Sequence, residues 1–149
     1  MQNRNRDNRT KSDFQQKQYP GISPKDYFDK DGDVVVDLFN SKADDIAKSF
    51  DIKRTSISQV RKFYDEILRM KMKIFFSNNK EREFKKQLPY IKMILAKAVY
   101  SSKRGNIDKN FKEFLDRNIG EIKELKEFEI FCDLFESVVA YSILYLKKK

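Results

Sequence analysis

The sequence predicts an all-α protein, a compact bundle of about five helices behind a disordered basic N-terminal arm. Three observations predict it. Four Gly and three Pro among 149 residues are too few for a collagen-like or turn-rich all-β architecture. A charged fraction of 37% beside an apolar fraction of 40% is the composition of charged helices around a packed interior. Beyond residue 33 the apolar residues recur every three or four positions, with neither strand-like alternation of useful length nor an internal repeat.

Residues 1–19 carry Arg4, Arg6, Arg9, Lys11 and Lys17 among Asn and Gln, with almost no apolar anchor to offset ordering entropy. The Pro20-Gly21-Ile22-Ser23-Pro24 stretch reads as a linker, so residues 1–24 are expected to be a flexible basic arm and 25–149 a single helical domain. Asp29-Lys30-Asp31-Gly32-Asp33 only superficially resembles a calcium loop: the later positions hold Val34 and Asn40, and a solvated acidic turn fits better. Val35, Leu38, Phe39, Ile46, Ala47 and Phe50 predict a first helix over roughly 34–50.

A second helix is expected from Ser56, where Ser56-x-x-Gln59 is a capping-box pattern, to about Phe76. Ile57, Val60, Tyr64, Ile67, Leu68 and Phe75 form its core stripe, leaving Arg54, Arg61, Lys62, Arg69, Lys71 and Lys73 mostly outside it. A short charged helix over 80–87 should end before Pro89, which kinks helix interiors. A third long helix then runs to Lys103, with Ile91, Ile94, Leu95, Ala98 and Val99 buried and Gly105 as its stop. Asp108 can cap a fourth helix carrying Phe111, Phe114, Leu115, Ile119 and Ile122. The last helix, about 124–146, is apolar on nearly every side, so it is either central or intermolecular.

The net charge of +9 is concentrated. Residues 1–52 have a net charge of −1, residues 53–104 of +11 and residues 105–149 of −1. A middle third with 15 basic and 4 acidic residues suits a surface that neutralises closely spaced phosphates. A merely solvated helix face is the plainer alternative.

The chain has no His, which removes His metal sites, Ser-His-Asp and Cys-His nucleophile systems and His general bases. It also lacks a Walker loop, G-x-G-x-x-G, a CxxC pair and G-x-S-x-G. Glu121, Glu124 and Glu127 fit helix-end electrostatics, and Cys132 on an apolar stripe fits a buried inert thiol. No enzyme, metal or cofactor is expected. One cysteine rules out an internal disulfide, the first thirteen residues contain no apolar signal region, and the uncharged stretch 137–146 is too short to span a bilayer. A cytoplasmic protein without membrane contact is the expectation.

Ile46 to Ile52 followed by Ile57 and Val60 has the apolar spacing of a helix-turn-helix, with Ser56, Ser58, Gln59 and Arg61 placed to read bases. The turn position holds Asp51 rather than Gly. A DNA-binding regulator is therefore an alternative, and a structural adaptor whose basic face meets acidic proteins is a third reading.

Ser58-Gln59-Val60-Arg61-Lys62-Phe63-Tyr64 resembles the S-Q-(L/I/V)-R-K-F-Y signature of the small subunit of type III-A CRISPR effectors, the Csm complex. Leu88 through Lys92, with Ala98-Val99-Tyr100 and Arg104, is similar to that family's L-K-x-x-L-A-Y-x-x-x-R region. Phe128 through Tyr141 resembles its closing F-E-A-hydrophobic-A-Y helix, with Ser142 where a His is usual. The likeness spans about residues 34–146.

This resemblance implies a noncatalytic subunit that self-associates, stacking in several copies with other effector subunits along guide RNA paired to target RNA. By motif position it implies RNA contacts at Arg61, Lys62, Lys92 and Arg104. Charge and helical facing add Lys53, Arg54, Arg69 and Lys73, while Phe63, Tyr64, Tyr100, Phe135 and Tyr141 are expected in the core. Independently of the family, long basic side chains with few exposed aromatic platforms favour contact with phosphates irrespective of base.

Overall fold

The computed structural model describes residues 18–147. Five α-helices form its body: α1 (Ala43–Lys48), α2 (Ile57–Phe75), α3 (Lys80–Lys103), α4 (Lys109–Gly120) and α5 (Leu125–Ser142). No strand occurs among the described residues, which carry a single antiparallel bridge between Phe28 and Val34. The basic arm expected at the N-terminus falls largely on residues 1–17, outside the described residues.

The first helix is shorter than expected. Val34, Val35 and Val36 are three consecutive β-branched residues, poor in a helix, and they run extended past Tyr27 and Phe28, with Val35 N donating to Tyr27 O at 2.9 Å. One π-helical turn, Leu38–Lys42, follows and leads into α1. It brings Leu38 into line with Ala43, Ile46 and Ala47, all fully buried. The Asp29 carboxylate accepts the Asp31 and Asp33 amides at 2.9 and 3.0 Å, so the acidic turn closes on itself.

Two expected caps are present. Ser56 Oγ accepts Gln59 N at the start of α2, and the Asp108 carboxylate accepts Asn110 N at the start of α4. Glu127 closes the start of α5 by accepting the amides of Lys123 and Glu124. The expected break at Pro89 is absent, and α3 is one helix from Lys80 to Lys103. Pro89 and Lys85 both lie on the exposed side, so the Lys85 carbonyl that loses its helical donor faces solvent. α5 ends at Ser142 rather than Leu146; the chain turns back there, and Ile57 N donates to Lys147 O at the start of α2.

α5 is the central helix, packed by α1, α2 and α4, which explains its nearly all-round apolar character. Phe131 and Phe135 on α5 meet Phe111 and Phe114 on α4, with ring centroids 5.2 Å apart for Phe114–Phe135 and 5.8 Å for Phe114–Phe131. Phe50 and Phe63 close the cluster edge-on against Phe111 at 5.2 and 5.6 Å. Each fully buried ring of this kind contributes about 1.5–3 kcal/mol by leaving water.

Three residues expected in the core are exposed: Phe75 (58%), Val99 (49%) and Tyr100 (63%). Tyr100 lines an open cleft with Lys62 and Phe63 of α2, and Phe75 lies under the Lys80 ammonium, 4.9 Å from its ring centroid. The expected linker is packed rather than free-standing, since Ile22, Ser23 and Pro24 are buried. Asn118 on α4 holds it, its Nδ2 donating to Tyr19 Oη at 2.9 Å and Ile22 O at 3.1 Å while its Oδ1 accepts the Tyr27 hydroxyl at 2.6 Å.

Candidate nucleic-acid interface

α2 and α3 run antiparallel and carry most of the basic central segment. Lys62, Arg69 and Lys73 are exposed and lie within about 40° of one another around α2, because steps of seven and four residues nearly complete whole turns. The strip they make is about 16 Å long at 1.5 Å per residue. Facing it are Tyr90, Met93, Lys97 and Tyr100 on α3 and Arg104 at its C-cap, successive three- and four-residue steps along a second exposed stripe. Two clefts of about 410 and 360 Å³ lie end to end between these stripes, the first beside Lys62 and Tyr100, the second beside Arg69, Lys73 and Tyr90.

Lys62, Arg69 and Lys73 make no ion pair among the described residues, whereas Lys71, half a turn away, reaches Asp133 on α5 at 3.7 Å. Lys97 crosses the groove to Glu66 Oε1 at 2.9 Å. Arg104 donates to the Tyr100 hydroxyl at 2.8 Å, with its guanidinium 5.5 Å from the ring centroid. The groove is thus basic along one wall and aromatic along the other.

The other expected site residues are placed differently. Arg61 is exposed but about 100° around α2 from Lys62. Lys53 and Arg54 are exposed in the turn before α2, whose Thr55 bonds Asp108 at 2.7 Å, at the same end of the helix pair as Arg104. Lys92 points away from the groove: its ammonium donates to Ile119 O at 2.6 Å and Gly120 O at 2.9 Å, capping the C-terminal end of α4. Burial lowers its pKa from the ordinary lysine value.

Sequence reasoning missed Tyr90, Met93 and Lys97. The three-and-four spacing from Tyr90 to Arg104 was the available signal, a second amphipathic stripe opposite the one that enters the core.

The remaining chemistry is sparse. Cys132 is buried, and desolvation pushes its thiol far above the ordinary range, against thiolate formation. Among the described residues no group of three or more His, Cys, Asp and Glu could hold a metal ion, and no helix is long and apolar enough to cross a membrane. The helix-turn-helix geometry is disfavoured, because α1 and α2 are separated by the whole run from Ser49 to Ser56 where that motif has a turn of roughly 3–4 residues.

Comparison with curated proteins gives no match, and comparison with solved structures gives none either. The family model described as Csm2 Type III-A matches residues 33–148, the whole helical body. With its helices, caps and motifs inside that span, the chain belongs to the Csm2 type III-A family, the small subunit of the type III-A CRISPR effector (Csm) complex.

Proposed function

We propose that this chain is a noncatalytic subunit that holds the backbone of guide and target RNA along the α2–α3 groove, in several copies stacked with the other effector subunits. The observation that carries the RNA reading is the unpaired basic strip of Lys62, Arg69 and Lys73. Cations without carboxylate partners keep their full attraction for phosphate, and binding through them releases counterions from the nucleic acid. Arg104 extends the strip at one end, with Lys53, Arg54 and Arg61 on its flank. Lys92 is outside the proposal, since its ammonium is taken by two backbone carbonyls. The stacking and the guide-target duplex rest on family membership.

Fluorescence anisotropy with the full chain and short RNAs of unrelated sequence, across a salt series, tests the reading. Unaltered protein binds them alike. Replacing Lys62, Arg69 and Lys73 by Ala lowers the slope of log affinity against log salt by about 2, roughly 0.7 per lost phosphate contact on a single strand. An unchanged slope, or tight selective binding to one DNA duplex, would overturn it.

A further inference from the structure

The cleft beside Lys62 contains features that phosphate contact does not need. It is walled by Phe63, Met93, Ala96 and Tyr100, and its lining is mostly carbon. Its size falls within the roughly 300–1,000 Å³ of small-ligand sites. Tyr100 stands 63% exposed, yet its ring is fixed by the Arg104 guanidinium, which bonds the hydroxyl and lies over the ring. A large aromatic left uncovered and held in place costs little entropy when something planar packs on it.

In the same cleft Glu66 Oε1 holds the Lys97 ammonium at 2.9 Å, which keeps a cation at the rim.

We propose that this cleft receives one unstacked nucleobase of the bound RNA, stacked on Tyr100. The proposal rests on the RNA reading above and deepens it. Charge complementarity selects the occupant: the rim carries Lys62 and Lys97, which suit the phosphates on either side of an inserted base, and the cleft is continuous with the basic strip. Stacking uses the π-face that every base has, so the site holds bases of any kind.

The two contributions separate by salt dependence, because stacking releases no counterions and phosphate contact does. Anisotropy is measured with oligocytidine and oligouridine of equal length over a salt series. Tyr100→Ala is expected to weaken oligocytidine binding between about fivefold and about a hundredfold, the range for losing one stacked base, with the salt slope unchanged. Tyr100→Phe keeps the ring and retains most of the affinity. The unaltered chain binds the two homopolymers alike, and Tyr100→Ala weakens oligouridine binding as well, because stacking is sequence-tolerant.

Tyr100→Ala binding as tightly as the unaltered chain would overturn the base pocket, while the Lys62, Arg69 and Lys73 slope test stands or falls by itself. Circular dichroism confirms folding of each variant, which the exposure of Tyr100 favours.

Discussion

Replacing Asn118 by Ala should detach the segment that precedes the helical body, and the cost follows from the geometry. Asn118 is fully buried, and its carboxamide bonds Tyr19, Ile22 and Phe114 through Nδ2 and Tyr27 through Oδ1. Not all of these partners become orphans. Ile22 O still accepts the Tyr19 hydroxyl, and Phe114 O keeps its helical amide donor four residues on. The Tyr27 hydroxyl, on a ring with no exposure, loses its only acceptor among the described residues.

An orphaned buried hydroxyl costs about 1–3 kcal/mol, and the other lost bonds add about 1 kcal/mol net, for a total of about 2–4 kcal/mol. Urea unfolding followed by circular dichroism measures this. Tyr27→Phe in the Asn118→Ala background should recover about 1–2 kcal/mol, because it removes the orphan. A loss below about 0.5 kcal/mol for Asn118→Ala, or strict additivity of the two substitutions, would refute the reasoning.

The remaining predictions concern α3 and α4. Pro89→Ala should stabilise the chain by about 1–3 kcal/mol and raise its helical signal, by restoring a donor to Lys85 O in mid-helix; a loss of stability would show that the Pro is required. Desolvation raises the Asp108 carboxyl above its usual 3.8, against hydrogen bonds from Thr55 and Asn110 that lower it. A carboxyl raised on folding binds a proton more tightly in the native state, so its contribution is fully present below pH 3.8 and declines as pH rises through the folded value. Asp108→Asn keeps an N-cap and removes that titration; the stability difference between parent and variant should therefore shift in favour of the variant as pH rises, measured by urea unfolding at a series of pH values. A difference constant with pH would contradict it.

How much the chain disclosed before folding depended on how local each signal was. Ser56 and Asp108 announced two helix starts, because a cap needs only a side chain and an amide two or three residues away. The apolar stripes of α2, α4 and α5 were legible from spacing, and so was the centrality of α5. Pro89 misled because its cost depends on whether the Lys85 carbonyl reaches solvent, a matter of tertiary placement. Val99 and Tyr100 misled for a related reason: apolarity marks both a buried flank and an open one, and only the packing of α3 against its neighbours tells them apart.

The groove itself belongs to no single segment. The basic residues of α2 were visible, but their aromatic facing wall exists only once α3 returns alongside, and the turning of Lys92 onto the end of α4 needs the fold to be seen.

Ultraviolet crosslinking of the purified native assembly to its own RNA, with the crosslinked peptides identified by mass spectrometry, tests the central claim most directly. The account predicts crosslinks on this chain within residues 61–73 of α2 and 90–104 of α3. Crosslinks confined to α4 and α5, or none on this chain while neighbouring subunits crosslink strongly, would contradict it.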